Sequence, residues 1–559
     1  MPAAAGRGRT NRWLVAALAV TAVALAIRLI GIDYGLPFHY HWDEPTIMNR
    51  VIRMGGGDLN PHFFFYPTLL MYVFLAAQGV LYGVGHLLHI YPSGDAFLVS
   101  YLTDSTASYV VGRVIVAGAG AATVFVTYAV GRRFLSPGVG LLAAAILAIS
   151  PVHVANSHFA TNDVPMGFFA TLTYIFLWQV YRRGLRRDYV ATGVVIGLAT
   201  STKYLPVVLL VCVAVAHVFR LHLSGEQFTL RRLVMSPMLS AAVAFGAFAV
   251  TSPFVLLDWS NALNDYRVQG QLSSAAGCTD CPFNFVPYLT NTLGWSVGWP
   301  VYLLALVGLL SIPFQFGERR FRFILLASWP VLLFLMIGFQ RQPWARWLVP
   351  IAPFASLAAA AVCISVYRRI SAYVSGGVRI RGAWAGFAVL GLGLVFVQPA
   401  FTSARYDSVL LQKDPRTATV DWFTSNVATG TKIAVQPLLD RYFFTAQLRT
   451  SSQLASEEGW IPGSRSSARQ EFEAAYNSRP VYEDVAFVYD YDQLKNSGVR
   501  YVVISSAHYH EVDAAAEDRF YAQLRERGRL VERFTALSPL PDADNFPVSP
   551  PAISVYELM

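Results

Sequence analysis

Apolar and polar stretches alternate along most of the chain at the scale of a lipid bilayer. A helix needs about 20 apolar residues to cross the hydrocarbon core. Runs of that kind predict spans near 13–33, 108–131, 137–155, 164–181, 189–202, 204–219, 233–256, 294–313, 323–339, 348–366 and 384–402. Several are short and must borrow flanking residues to cross. The segment 67–90 is also apolar enough to span. A crossing there would move every later basic loop to the other side, so it reads as re-entrant or as lying along the outer face.

After residue 403 the pattern changes. "DPRTATVDWFTSNVATGTKIAVQ" predicts an amphipathic helix, a Gly turn and a short strand. "GVRYVVISS" is a buried strand, "DAAAEDRFYAQLRERGRLVERFTAL" a helix stopped by Gly528 and followed by a strand, and "AISVYEL" a terminal strand. Alternating helix and strand patterns of this length predict a small α/β domain. The predicted fold class is therefore a polytopic α-helical membrane protein of 11–13 transmembrane helices with a small C-terminal α/β extracytoplasmic domain. The division is 1–402 for the membrane body, with 34–107 as its first outer loop, and 403–559 for the α/β domain.

Composition supports the membrane reading. The 559 residues are 55% hydrophobic and 14% charged, with a mean hydropathy of +0.43. Soluble domains carry about 25% charged residues. The net charge of +9 does not signal nucleic acid. Its arginines fall in short runs between apolar segments, as cytoplasmic loops do. Placing Arg7–Arg12, Arg132–Arg133, Arg182–Arg187, Arg220–Arg232, Arg319–Arg322 and Arg368–Arg381 in the cytoplasm gives one consistent threading of eleven crossings. The N-terminus is then cytoplasmic. The first apolar segment has no cleavage site and reads as a retained anchor. The loops 34–107, 156–163, 257–293 and 340–347, and everything after about 403, are outside. The expected location is the cytoplasmic membrane.

The unusual polar residues then share the outer side. "HYHWDEPTIMNR" holds His41, Asp43 and Glu44. Asp43 suits either a helix cap before Pro45 or a general base. "ISPVHVANSHFATNDVPMGFF" holds His158, Asn162 and Asp163. Asp163 suits a helix cap, and with the histidines it also suits a ligand for a metal or a phosphate. Lys203 in "GLATSTKYLP" suits a lysine snorkelling to the interface or a phosphate ligand. Arg341 and Arg346 in "QRQPWARWLVPIAPF" break the positive-inside trend and call for an anionic partner, a lipid headgroup or a lipid-phosphate donor. Cys278 and Cys281 form the single CxxC, for which a small structural disulfide fits an oxidising exterior, with redox or metal roles as alternatives. Cys212 and Cys363 sit in apolar runs as core residues. Arg28 and Arg113 are the two remaining charges inside spans.

The order of these motifs carries a resemblance. A retained N-terminal span is followed by an outer Asp-Glu loop, "YPTLLMY", "GR" leading the next span, "GRRFLSPGVGLLAAAILAISP", "SHFATNDVPMGFF", "GLATSTKYLP" and "ARWLVPIAPF". Over roughly residues 13–360 this resembles the GT-C superfamily of membrane glycosyltransferases, in the branch of protein O-mannosyltransferases and aminoarabinose transferases. The resemblance implies inverting transfer of a sugar from a polyprenyl-phosphate donor to a protein, lipid or glycan hydroxyl, outside the cytoplasmic membrane. It assigns Asp43 as the general base or acceptor-orienting residue, Glu44 as its neighbouring acid and Asp163 as the second-loop acid. Lys203 and Arg346 fall near the donor phosphate, with Arg341 beside them; His41, His158 and Asn162 are accessory. No metal cofactor is required, although some relatives use a divalent cation. A transporter of lipid-linked sugars shares the spans and the lipid binding; it would show charges along a transmembrane path, and no such series stands out.

Overall fold

The structure is a computed structural model. It describes residues 3–41, 43–226, 228–275, 283–340, 344–373, 378–436, 466–478, 480–506, 514–536 and 550–559. The chain opens with α1 (Ala3–Leu29), then α2 (Asp43–Met54), α3 (Leu69–Leu87) and α4 (Gly94–Thr103). The next group comprises α5 (Thr106–Phe134), α6 (Pro137–Ala148), α7 (Pro151–Asn156), α8 (Asp163–Arg182), α9 (Arg186–Thr202), α10 (Leu209–Ser224), α11 (Leu230–Thr251), α12 (Pro253–Leu257) and α13 (Trp259–Ala275). The membrane body closes with α14 (Phe285–Pro287), α15 (Leu293–Val297), α16 (Trp299–Leu310), α17 (Gly317–Gly338), α18 (Ala352–Tyr373) and α19 (Val378–Leu410).

Among the described residues, 8 helices are long and apolar enough to cross a membrane, or 9 if the bent pair Phe285–Val297 and Trp299–Leu310 is one span. The predicted spans at 137–155 and 189–202 correspond to helices of 12 and 17 residues. At 1.5 Å per residue these reach only about 18 and 26 Å. The predicted span 294–313 is interrupted. Its two helices meet at 119°, and Gly298 supplies the turn with φ +95°. A Cβ there would stand 2.9 Å from Pro399 Cβ. The segment read as re-entrant is a continuous 19-residue helix, α3, without a break. It passes the same length and apolarity test as the other long helices.

Small residues let the helices approach closely. Gly112 in α5 faces Met48 and Ala160, where a Cβ would lie 2.8 and 3.1 Å from their side chains. This contact brings α5 against the second turn of α2. Arg28, within α1, is fully buried and spends its guanidinium on backbone oxygens. It donates to Ala24 O at 2.8 Å, Ala148 O at 3.1 Å and Leu147 O at 3.4 Å. It thereby satisfies carbonyls left open at the end of α6.

The change in composition at 402 falls inside α19, which continues to Leu410. Helix α20 (Pro415–Asn426) then leads into a five-stranded sheet of β1 (Lys432–Val435), β2 (Glu483–Asp484), β3 (Tyr501–Ser505), β4 (Gly528–Phe534) and β5 (Ile553–Leu558), in the order β2-β1-β3-β5-β4. Strands β2, β1 and β3 are parallel, and β5 runs antiparallel to both β3 and β4. Both sheet faces are covered. Tyr501 and Val503 join Phe423 and Tyr482 in one cluster, and Val502 between them joins Leu494, Phe520 and Leu524 in another. The period-two alternation of a strand sorts the residues this way, and two covered faces explain why "YVVIS" reads as continuously apolar.

The sheet region is tied to the loop that precedes α2. Tyr34 donates to Asp414 Oδ2 at 2.5 Å, and Arg416 donates to both oxygens of Asp414 at 2.7 and 2.6 Å. The Arg416 guanidinium also lies 3.7 Å from the centre of the Tyr40 ring.

Candidate active site

Four charged side chains from four separate elements converge at helix ends. Asp43 begins α2, Asp163 begins α8, Lys203 follows the last turn of α9, and Arg346 sits in the 3-10 turn Ala345–Leu348 before α18. Neither aspartate serves its own helix as a side-chain cap. Asp43 Oδ2 accepts from Arg346 Nη1. Asp163 Oδ1 accepts from Lys203 Nζ at 2.6 Å. All but Arg346 are buried, and Arg346 is half-buried. Burying such charges is costly unless they are paired. The pairing explains how the acids are tolerated here.

Tyr66 stands between the two pairs. Its hydroxyl donates to Asp43 Oδ1 at 3.2 Å, and Lys203 Nζ lies 6.0 Å from its ring centre. Burial, with Asp43 adding to it, pushes its phenol well above the ordinary value, so it keeps its proton and acts as a donor. In the sequence this tyrosine falls within "YPTLLMY", where nothing marks it for a role. An aromatic at a membrane interface carries no distinguishing mark until its partner is seen.

Glu44, expected as the acid neighbouring Asp43, is paired apart from the two ion pairs. It is fully buried, and Arg113 donates to it from Nε at 2.9 Å and from Nη2 at 2.7 Å. The Ala160 amide donates to the same carboxylate at 2.7 Å. Arg113 Nη1 donates in turn to Ile32 O and Tyr34 O, each at 2.9 Å. Both oxygens of Glu44 are thus spent joining α2, α5 and the loop before α8. Its geometry is that of a clamp holding the floor of the site.

The accessory residues divide. Asn162 donates from Nδ2 to Thr202 O at 2.6 Å, which fixes the start of α8 to the end of α9, next to Lys203. His41 is buried with its ring 4.8 Å from that of Phe159, and burial pushes its pKa down to about 4. His158 binds Val154 O through Nδ1 at 2.9 Å, and its Nε2 is 3.7 Å from Asp407 Oδ1, facing α19 rather than either ion pair. Burial lowers His158 to about 4 and raises Asp407 to about 7. Among the described residues no group of three or more His, Cys, Asp or Glu side chains is arranged to hold a metal ion. Arg341, Cys278 and Cys281 lie outside the described residues.

An apolar cavity of about 300 Å³ lies between α16, α17 and α18, lined by Leu293, Leu306, Phe323, Phe334, Ile351 and Phe354 among others. Ile351 and Phe354 follow the Arg346 turn closely in the chain.

Residues 98–257 match the family model of dolichyl-phosphate-mannose-protein mannosyltransferases. The structure is similar to that of ArnT from Cupriavidus metallidurans bound to undecaprenyl phosphate, with a TM-score of 0.52 at 14% identity, over 96% of this chain and 97% of that one. It is also similar, with a TM-score of 0.48 at 13% identity, to the archaeal oligosaccharyltransferase AglB from Archaeoglobus fulgidus in complex with an inhibitory peptide and a dolichol-phosphate, over 89% of this chain and 69% of that one. No curated protein matches the sequence. The chain shares its fold with ArnT, and the family match covers under half of its length.

Proposed function

We propose that this protein is an inverting glycosyltransferase that moves a sugar from a polyprenyl-phosphate donor to an acceptor hydroxyl on the outer face of the cytoplasmic membrane. The observation that carries the reading is the convergence of Asp43 with Arg346, and of Asp163 with Lys203, on the single phenol of Tyr66. An acid beside two cations is what transfer from a phosphate leaving group requires. The outer location rests on the arginine pattern of the loops, which places the N-terminus in the cytoplasm and the sheet region outside.

In this reading the acceptor oxygen attacks the anomeric carbon from the face opposite the phosphate. Its proton passes to the Asp43 carboxylate. The bond between the anomeric carbon and the phosphate oxygen breaks, and the electron pair leaves with the lipid phosphate. Arg346 and Lys203 stabilise that developing charge, so the leaving group needs no proton. Asp163 holds the lysine ammonium in place. The apolar cavity beside Ile351 and Phe354 suits the isoprenoid chain of the donor. At rest the two cations are occupied by the two acids. A donor phosphate competes with Asp43 for Arg346 and frees the carboxylate for the acceptor.

The test is reconstitution of the purified protein in vesicles with radiolabelled polyprenyl-phosphate sugars and a panel of protein, lipid and glycan hydroxyl acceptors. Transfer with inversion, lost in Asp43→Asn, supports the proposal. Movement of the intact donor across the bilayer without bond cleavage would replace it with a lipid-linked sugar transporter.

A further inference from the structure

We infer that Tyr66 is a positioning residue for Asp43, holding the carboxylate in place when Arg346 turns to the donor phosphate. The inference rests on the glycosyltransferase reading above. Asp43 has two oxygens, and among the described residues each has one hydrogen-bond partner of a different kind. Oδ2 is bound by Arg346, which the donor phosphate also attracts. Oδ1 is bound by the neutral Tyr66 hydroxyl at 3.2 Å, for which a phosphate has no comparable pull. When the charged partner is diverted, the phenol is the contact that remains.

The segment around Tyr66 is built to stay fixed. The Phe64 amide donates to Asp265 Oδ2 at 2.7 Å, and Phe64 O accepts from Tyr204 at 2.9 Å. The Thr68 amide donates to Ser252 Oγ at 3.1 Å, and Thr68 Oγ1 to Thr251 O at 3.2 Å. These four bonds bracket Tyr66 and tie it to α13, to the residue after Lys203 and to the end of α11. Such restraint exceeds what an interfacial aromatic needs. It suits a group whose hydroxyl must hold one atom to within a fraction of an ångström. The phenol keeps its proton because of burial and the neighbouring Asp43, so it donates across the whole physiological range.

The charged and titratable groups around Asp43 are few. Arg346 comes from the turn before α18, the Asp163–Lys203 pair from α8 and the end of α9, His41 from its own segment, and the Glu44–Arg113 pair from α2 and α5. None of the others replaces a donor on Oδ1.

The experiment compares wild type with Tyr66→Phe, which keeps the ring and removes only the hydroxyl, in the reconstituted transfer assay across pH. The expected result is a fall in kcat of about tenfold to a hundredfold with the donor KM within twofold. The acidic limb of the kcat profile should also move to higher pH, because a carboxylate that loses a hydrogen-bond donor keeps its proton longer. A variant with wild-type kcat and an unmoved acidic limb overturns the inference. A fall in kcat with a matching fall in thermal stability, and no movement of the limb, assigns Tyr66 to packing alone and overturns it equally. If wild type itself transfers no sugar, the glycosyltransferase reading fails instead, and the two failures are told apart in one data set.

Discussion

Asp43 and Arg346 lie 303 residues apart in the chain and form an ion pair at the centre of the site. The pair joins the first turn of α2 to the turn that starts α18. Under the proposed function it has a consequence for resting chemistry: the base is neutralised by the cation that the leaving phosphate needs. Removing the acid should therefore cost chemistry more than donor binding. Asp43→Asn keeps the shape and the Tyr66 contact, and turnover should fall by about 10²–10⁴-fold while the donor KM changes little. Initial rates over a range of donor concentration check this. Turnover within a factor of three of wild type would remove Asp43 from the chemistry.

Lys203 and Asp163 offer a cleaner separation of folding from function. Lys203→Met leaves the Asp163 carboxylate buried without its partner, which costs about 3–5 kcal/mol. The double variant Asp163→Asn with Lys203→Met removes both charges and should recover most of the lost thermal stability. It should not recover transfer, because nothing then replaces the lysine at the leaving phosphate. Melting temperature in detergent and transfer rate, measured on wild type and both variants, test both halves. Recovery of turnover in the double variant would mean that the lysine only compensates the aspartate.

These residues were legible in the sequence because each is costly where it stands. Asp43, Asp163, Lys203 and Arg346 interrupt apolar runs, and Arg346 also falls on the side where arginines are disfavoured. The residues that fix them were not legible. Arg113 stood out as a charge within a span, but its bond to Glu44 depends on the approach of α5 at Gly112, which no local pattern encodes. Tyr66 resembled any interfacial aromatic. The span pattern was readable in outline because bilayer thickness sets a length scale. It blurred where burial inside the bundle imitates burial in lipid, as in α6 and α9. It also missed the break at Gly298, since hydropathy averages over a bend. In the sheet region β1, β3, β4 and β5 were readable and the two-residue β2 was not, nor was the tie through Tyr34, Asp414 and Arg416, because that contact joins distant parts of the chain.

Glu44 and Arg113 should behave as a structural pair. Glu44→Gln leaves the fully buried guanidinium without its counter-charge, and the expected loss is about 3–5 kcal/mol of stability. Protein yield and melting temperature should fall together. The fraction that remains folded should keep the wild-type donor KM, since Glu44 has no free oxygen to offer a substrate. Arg113→Met should act alike, and the two losses should be strongly non-additive in the double variant. Additive losses would show that the pair does not act as one clamp.

The buried histidine beside the site gives a pH signature. His41 is held neutral by burial, with its pKa lowered to about 4 against an ordinary 6.5. Between those values the unfolded chain binds a proton that the folded chain does not, so stability falls as pH falls through this window. The slope for one such group is about 1.4 kcal/mol per pH unit. His158, lowered to about 4, acts in the same direction. Asp407, raised to about 7, acts in the opposite one, because there the folded chain holds the extra proton. His158 and Asp407 largely offset each other between pH 4.5 and 6.5, in proportion to these two shifts. His41 is left to set the difference between wild type and His41→Phe, a variant that keeps an aromatic ring against Phe159. As pH is lowered from about 6.5 to 4.5, the melting temperature of wild type should fall further than that of His41→Phe. Parallel curves for the two proteins would show that burial does not hold His41 neutral in this window.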